Sequence, residues 1–137
     1  MTGLLSRGDV LLYPYRWADE AAAGRSPDGT KDRPCCVVIA HKHADGMTEL
    51  FLAAVSSKAP RKDQHALPVP DIERRRAGLT KYAEAWVYVD EMNRDLLEAS
   101  WYLPADVEPI GAFSDKFLRT LSTALASHAL NRVVKRR

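Results

Sequence analysis

The sequence predicts a small, mainly β domain that ends in one α-helix, arranged as a barrel or a coiled sheet with the helix packed on one side. Three observations predict it. Short runs of apolar and β-forming residues recur through most of the chain, glycines and prolines interrupt these runs, and the apolar residues after Ser114 follow the helical period. With 137 residues, 46% of them hydrophobic, the chain can bury one core. We therefore expect one domain over residues 1–137.

Several segments have the composition of strands. They are residues 8–15, 34–41, 50–55, 65–70, 85–90 and 101–104. Ala44-Asp45-Gly46 is a strong hairpin signal, so the second and third segments are expected to pair as central antiparallel strands. Two prolines confine residues 65–70 to an edge of the sheet. Residues 16–32 form a long polar loop, in which residues 21–23 can make one helical turn.

Two helices are predicted, a short one and a terminal one. Asp71 is placed to cap the first, which runs through Arg76 and ends at Gly78, because glycine adopts the left-handed conformation at low cost. Ser114 is placed to cap the second, which we expect to continue to about Val134. Its apolar face is formed by Phe117, Leu118, Leu121, Leu125 and Leu130.

Composition argues against several classes of protein. The longest apolar runs, residues 35–40 and 50–55, have six residues each, whereas a membrane-spanning helix needs about 20. The N-terminal residues lack the pattern of a secretion signal, so we expect a cytoplasmic protein.

Cys35 and Cys36 are adjacent in a predicted strand, which favours buried, reduced thiols over a disulfide. No Cys-x-x-Cys, phosphate-binding or dinucleotide motif is present, so we expect neither a metal nor a cofactor.

Positive charge is concentrated in two places, although the net charge is only +2. Residues 58–81 hold seven Lys or Arg against three acids, and the chain ends in Lys135-Arg136-Arg137. Such patches attract phosphate backbones. A solvated helix face and a frayed tail explain the same residues equally well.

Five short motifs follow one another along the chain. They are Gly8-Asp9-Val10-Leu11, Lys31-Asp32-Arg33-Pro34 before an apolar run, Ala53-Ala54-Val55-Ser56-Ser57, Val89-Asp90-Glu91, and Pro109-Ile110-Gly111-Ala112-Phe113-Ser114 before the last helix. In order and spacing they resemble the MazF/PemK family of toxin endoribonucleases. The pair Arg33-Pro34 before the apolar run is the motif most typical of that family. The resemblance spans residues 7–130 and implies a small SH3-like, PemK-type β-barrel.

The resemblance also implies an activity and partners. It implies a metal-independent, sequence-selective endoribonuclease toxin that cleaves single-stranded RNA by attack of a 2′-hydroxyl on its own phosphate. It implies a homodimer and a cognate antitoxin protein whose extended tail occupies the RNA groove. Such cleavage needs a base, an acid and positive charge on the phosphorane.

Four residues are predicted to form the catalytic site. Arg33 offers a permanently charged fork that matches phosphate oxygens, and Ser56 and Ser57 offer hydroxyl donors. Asp90 can accept the 2′-proton or hold Arg33 in place. The nucleic-acid-binding residues are predicted to be Lys31, Lys58, Arg61, Lys62 and Trp17, with the tryptophan stacking on a base.

Each of these residues also has a structural interpretation. Arg33 can pair with Asp32 or Asp9 at the strand entrance, the two serines can form a turn, and Asp90 can cap or turn the chain. Tyr88, for which core packing is expected, stands where family nucleases often carry an arginine. This departure supports an alternative, a catalytically degenerate MazF-like module that binds RNA or a protein partner.

Overall fold

The computed structural model describes residues 5–24, 31–104, 106–129 and 132–136. Within these ranges the strands are β1 (Asp9–Tyr13), β2 (Arg33–Lys42), β3 (Thr48–Ser56), β4 (Ala66–Pro68), β5 (Trp86–Tyr88), β6 (Met92–Leu96), β7 (Gly111–Ala112) and β8 (Val133–Lys135). The helices are α1 (Ala18–Ala22), α2 (Asp71–Arg76) and α3 (Asp115–His128), and a 3-10 turn covers Leu97–Ala99. The predicted fold class, mainly β with a helix near the C-terminus, is confirmed.

The strands form one sheet in the order β4-β5-β3-β2-β1-β7. Two strands lie outside this order: β6 pairs with β3, and β8 pairs with β6. One edge of β3 pairs with β2; the other pairs with β6 along residues 49–52 and with β5 at Val55 and Ser56. The hairpin between β2 and β3 is confirmed, with Gly46 at φ +88° in its turn. Among the described residues no ladder joins β4 to β7, so hydrogen bonds do not close the strand order.

Two apolar cores use opposite faces of the central strands. Residues 34–38 of β2 are buried. Cys36 belongs to the core that includes Leu121 of α3, whereas Cys35 belongs to the core around Tyr13. A strand buried on both faces requires an uninterrupted apolar run, which is why this segment does not alternate. Both cysteines are free and buried, as predicted.

The predicted strand at residues 101–104 is wrong. The hydroxyl oxygen of Ser100 accepts the backbone N–H groups of Tyr102 at 3.0 Å and Leu103 at 3.2 Å. These donors are therefore satisfied in a local turn instead of a ladder. The strand that does form nearby is β6, which the apolar pattern missed because its two fully buried residues, Asn93 and Asp95, are polar.

The N-terminus of α3 is as predicted, and its C-terminus is not. The Ser114 hydroxyl accepts the N–H of Phe117 at 3.2 Å, which confirms the cap. The helix ends at His128 instead of near Val134. The β-branched pair Val133 and Val134 joins β6 as the parallel strand β8, because branched side chains favour a strand over a fraying helix end. The C-terminal segment is therefore docked on the sheet, and the interpretation as a frayed tail is wrong for residues 133–136.

The region around α2 confirms two predictions and corrects a third. β4 is the terminal strand of the order, as its prolines required, and Gly78 has φ +73° just after α2. Asp71, however, is the first helical residue and not the cap; Pro70 occupies the cap position without a side-chain hydrogen bond. Asp71 instead adds negative charge in the first turn, where the helix dipole favours it.

Candidate functional site

A cleft of about 660 Å³ opens beside α1, the start of β2 and the end of β3. It brings together six of the nine predicted site residues: Trp17, Arg33, Ser56, Ser57, Lys58 and Arg61. The rest of its lining is Asp19, Glu20, Val55, Ala59, Gln64, Tyr82, Tyr88 and Glu91. Residues from four separate parts of the chain therefore form one concave surface that carries cations, hydroxyls, aromatic rings and carboxylates.

Three predicted residues do not line this cleft. Lys31 and Lys62 are exposed outside it. Asp90 is buried, and its Oδ2 accepts the backbone N–H of His65 at 3.0 Å, just before β4. Asp90 therefore anchors the residue that precedes the edge strand, and it is absent from the residues that line the cleft within the described ranges.

Arg33 is the first residue of β2, where it pairs with Tyr13 of β1. Its guanidinium carbon lies 5.2 Å from the centre of the Trp17 ring, within the range of a cation–π contact. Among the described residues no carboxylate forms an ion pair with Arg33. The alternative in which Arg33 pairs with Asp32 or Asp9 is therefore not observed. Its buried Nε has no hydrogen-bond acceptor in the described part of the chain. A buried donor without an acceptor is costly. The Arg33 side chain as a whole is half-buried and lines the cleft, where its guanidinium can bind an anionic ligand.

The aromatic residues of the cleft fix one another by edge-to-face packing. The ring of Trp17 lies 5.0 Å from Tyr15 and 5.4 Å from Tyr88, with interplanar angles of 67° and 83°. Tyr88 is only 4% exposed, which confirms its expected packing in the core. Its hydroxyl donates to the carbonyl of Lys58 at 2.8 Å and so holds the loop that carries the cations of the cleft.

The loop after β3 presents the hydroxyls and two of the cations. The Ser56 hydroxyl accepts the N–H of Lys58 at 3.1 Å, so the serines do form a turn, and the same turn lines the cleft. Arg61 is exposed and pairs with Asp63 at 3.3 Å. An ion pair this exposed is weak and can be exchanged for a phosphate.

Glu91 is the carboxylate that the sequence analysis missed. It lines the cleft, is 6% exposed, and accepts the Ala18 N–H at 2.8 Å and the Tyr15 hydroxyl at 3.2 Å through Oε1. Burial raises the pKa of Glu91, while these hydrogen bonds and Arg132 lower it in part. The available signal was its position next to Asp90 in the motif Val89-Asp90-Glu91, which offers two neighbouring carboxylates.

The cleft wall that carries Trp17 is held from behind by β6 and the C-terminal strand. Asn93 accepts the N–H of Arg16 at 2.9 Å and donates to its carbonyl at 2.7 Å. Arg136 donates to the carbonyl of Pro14 at 2.7 Å, and Arg132 pairs with Asp19 of α1 at 3.1 Å. The segment before α1 is therefore fixed by contacts with residues far along the chain.

Comparisons with known proteins add no assignment: no model of a protein family matches the sequence, and no curated protein matches it. In the described ranges no helix has the length and apolarity that crossing a bilayer requires. No group of three or more His, Cys, Asp or Glu side chains in those ranges could hold a metal ion.

Proposed function

We propose that the chain is a metal-independent, sequence-selective endoribonuclease toxin of the MazF/PemK type, which binds single-stranded RNA in this cleft. The observation that carries the proposal is Arg33, a cation without an ion-pair partner among the described residues, in the same cleft as Ser56, Ser57 and Lys58. This combination suits a phosphate, because a guanidinium fork and hydroxyl donors match its oxygens.

The chemistry uses few groups. The 2′-oxygen of the ribose attacks the adjacent phosphorus, the bond from phosphorus to the 5′-oxygen breaks, and a 2′,3′-cyclic phosphate forms. Arg33 stabilises the charge on the phosphorane, and Ser56 and Ser57 hydrogen-bond its oxygens. Glu91 takes the role first given to Asp90 and accepts the 2′-proton, since it is a buried carboxylate that lines the cleft and burial raises its pKa. The 5′-oxygen takes its proton from solvent, to which the cleft is open.

The partners in this proposal come from the family resemblance. They are a second copy of the chain, in a homodimer, and a cognate antitoxin whose extended tail occupies the cleft. The proposed location is the cytoplasm, where messenger RNA is the substrate. Lys58 and Arg61 at the cleft, with Lys31 and Lys62 outside it, support binding of the backbone through charge.

The test is incubation of the purified protein with a long single-stranded RNA in EDTA, with new ends mapped by primer extension. Discrete cuts are expected, and Arg33→Ala should slow them by about 100-fold, the usual cost of one lost charge stabiliser. Arg119→Ala is the matched control, because Arg119 is exposed on α3 and outside the cleft. Equal loss in both variants, or no binding of RNA, would contradict the proposal.

A second candidate follows from Tyr88, whose hydroxyl is committed to the Lys58 carbonyl where family nucleases often have an arginine. In this alternative the cleft binds RNA or a protein partner without cleaving it. Arg33-dependent binding of RNA that stays intact would favour it.

A further inference from the structure

One carboxylate of the cleft has no assigned role in cleavage or in the fold. Glu20, on α1, lines the cleft and is half-buried. Its neighbour Asp19 is engaged by Arg132 at 3.1 Å, whereas no hydrogen bond or ion pair within the described ranges engages the Glu20 side chain. A surface built only to hold phosphate gains nothing from an unpaired carboxylate, since like charges repel.

Glu20 lies beside the aromatic part of the cleft. Trp17 is the residue just before α1 and Glu20 lies in its first turn, and the side chains of both line the cleft. The Arg33 guanidinium lies over the Trp17 ring, and its own plane offers a flat surface in the cleft on which a nucleobase can stack. A base stacked there shares the cleft with Glu20, so its edge can meet the Glu20 carboxylate while its phosphate faces the cations.

The chemistry of a carboxylate selects among the bases. Its two oxygens only accept hydrogen bonds, so the best partner has two neighbouring donors. Guanine has such an edge, with N1–H beside its exocyclic amino group. Adenine and cytosine place one amino donor beside a ring nitrogen that repels a carboxylate, and uracil places one N–H between two carbonyls.

We infer that Glu20 determines specificity by accepting both Watson–Crick donors of a guanine, so that the RNA bound in the cleft carries guanine next to the phosphate held by Arg33. This inference rests on the proposed function for its biological meaning, but the binding it describes can be measured without cleavage. It adds a base-reading residue to a site whose other groups contact sugar and phosphate.

The experiment titrates the full chain with the 5′-monophosphates of guanosine, inosine, adenosine, cytidine and uridine, by calorimetry. Guanosine monophosphate should bind about 10- to 100-fold more tightly than the last three, as expected for one bidentate contact to a base. Inosine monophosphate, which lacks the amino group, should fall between them. Glu20→Gln should abolish the preference without weakening the binding of inorganic phosphate.

Asp19→Asn is the matched control, since it removes the neighbouring charge and should keep the preference. Equal affinity for all five nucleotides, or a guanine preference that survives in Glu20→Gln, would overturn the inference. A guanine preference without RNA cleavage would keep the inference and reject the nuclease. Cleavage at sites without guanine, unchanged in Glu20→Gln, would keep the nuclease and reject the inference. A folded protein that binds no nucleotide would reject both.

Discussion

Replacing Arg136 by alanine tests whether the C-terminal strand is part of the folded domain. Its Nη1 donates to the Pro14 carbonyl at 2.7 Å and to Asn93 Oδ1 at 3.1 Å. Its guanidinium carbon also lies 4.1 Å from the centre of the Tyr102 ring. These contacts link the end of the chain to β6 and to the segment that leads to Trp17.

The expected cost follows from these contacts. Hydrogen bonds from a charged donor contribute about 1.5–3 kcal/mol each, and a partly desolvated cation–π contact about 1–2 kcal/mol. Against this stand about 2 kcal/mol of side-chain entropy and the desolvation of Nη2, a buried atom with no acceptor in the described part of the chain. We expect Arg136→Ala to lower the free energy of unfolding by about 2 kcal/mol.

Urea unfolding measures this directly. For a domain of this size a loss of about 2 kcal/mol moves the midpoint by about 1 M, without a change in slope. Lys135→Ala is the control, because the neighbouring Lys135 is exposed and should cost less than about 0.5 kcal/mol. If the two variants unfold at the same urea concentration, the docking of β8 on β6 is refuted.

Two further predictions concern a buried acid and two glycines. Burial raises the pKa of Glu91, so the folded state disfavours its ionised form, and stability should fall as pH rises from the ordinary carboxyl pKa through the raised one. Glu91→Gln should remove that fall; urea unfolding between pH 4 and pH 8 that gives parallel profiles for both proteins would contradict this. Gly78→Ala should lower the free energy of unfolding by more than about 2 kcal/mol, because φ is +73° and the added carbon would overlap the Ile110 carbonyl. Gly46→Ala, at φ +88° with open space around it, should lower the free energy of unfolding by only about 1 kcal/mol. Equal thermal unfolding midpoints for Gly78→Ala and Gly46→Ala would contradict the predicted overlap at Ile110.

The sequence predicted the elements whose signals are local. The hairpin at Gly46, the cap at Ser114 and the glycine turn after α2 depend on residues that are close in the chain, and all three are confirmed. β6 and β8 were missed because their stability comes from distant partners. Asp95 is buried against the Tyr13 hydroxyl at 2.7 Å, a contact that spans 82 positions and gives no apolar signal.

The candidate site was predicted only in part, because some of its residues have local signals and others depend on distant contacts. Arg33 and Ser56 were predicted from short motifs that resemble those of the MazF/PemK family and border apolar strands. Asp90 was chosen one position away from Glu91, the acid that reaches the cleft, because the family motif does not say which side each residue faces. The wall that carries Trp17 depends on contacts up to 122 positions apart in the chain, which no local pattern shows.

The activity that we propose is cleavage of RNA by its own 2′-hydroxyl in the cleft that contains Arg33. The most direct measurement compares two short synthetic RNAs in EDTA, one all-ribose and one with a single 2′-deoxynucleotide at the mapped cut site. Our account predicts that the first is cut to a 2′,3′-cyclic phosphate and that the second stays intact. Equal cutting of both RNAs, or no cutting of either by the folded protein, would contradict it.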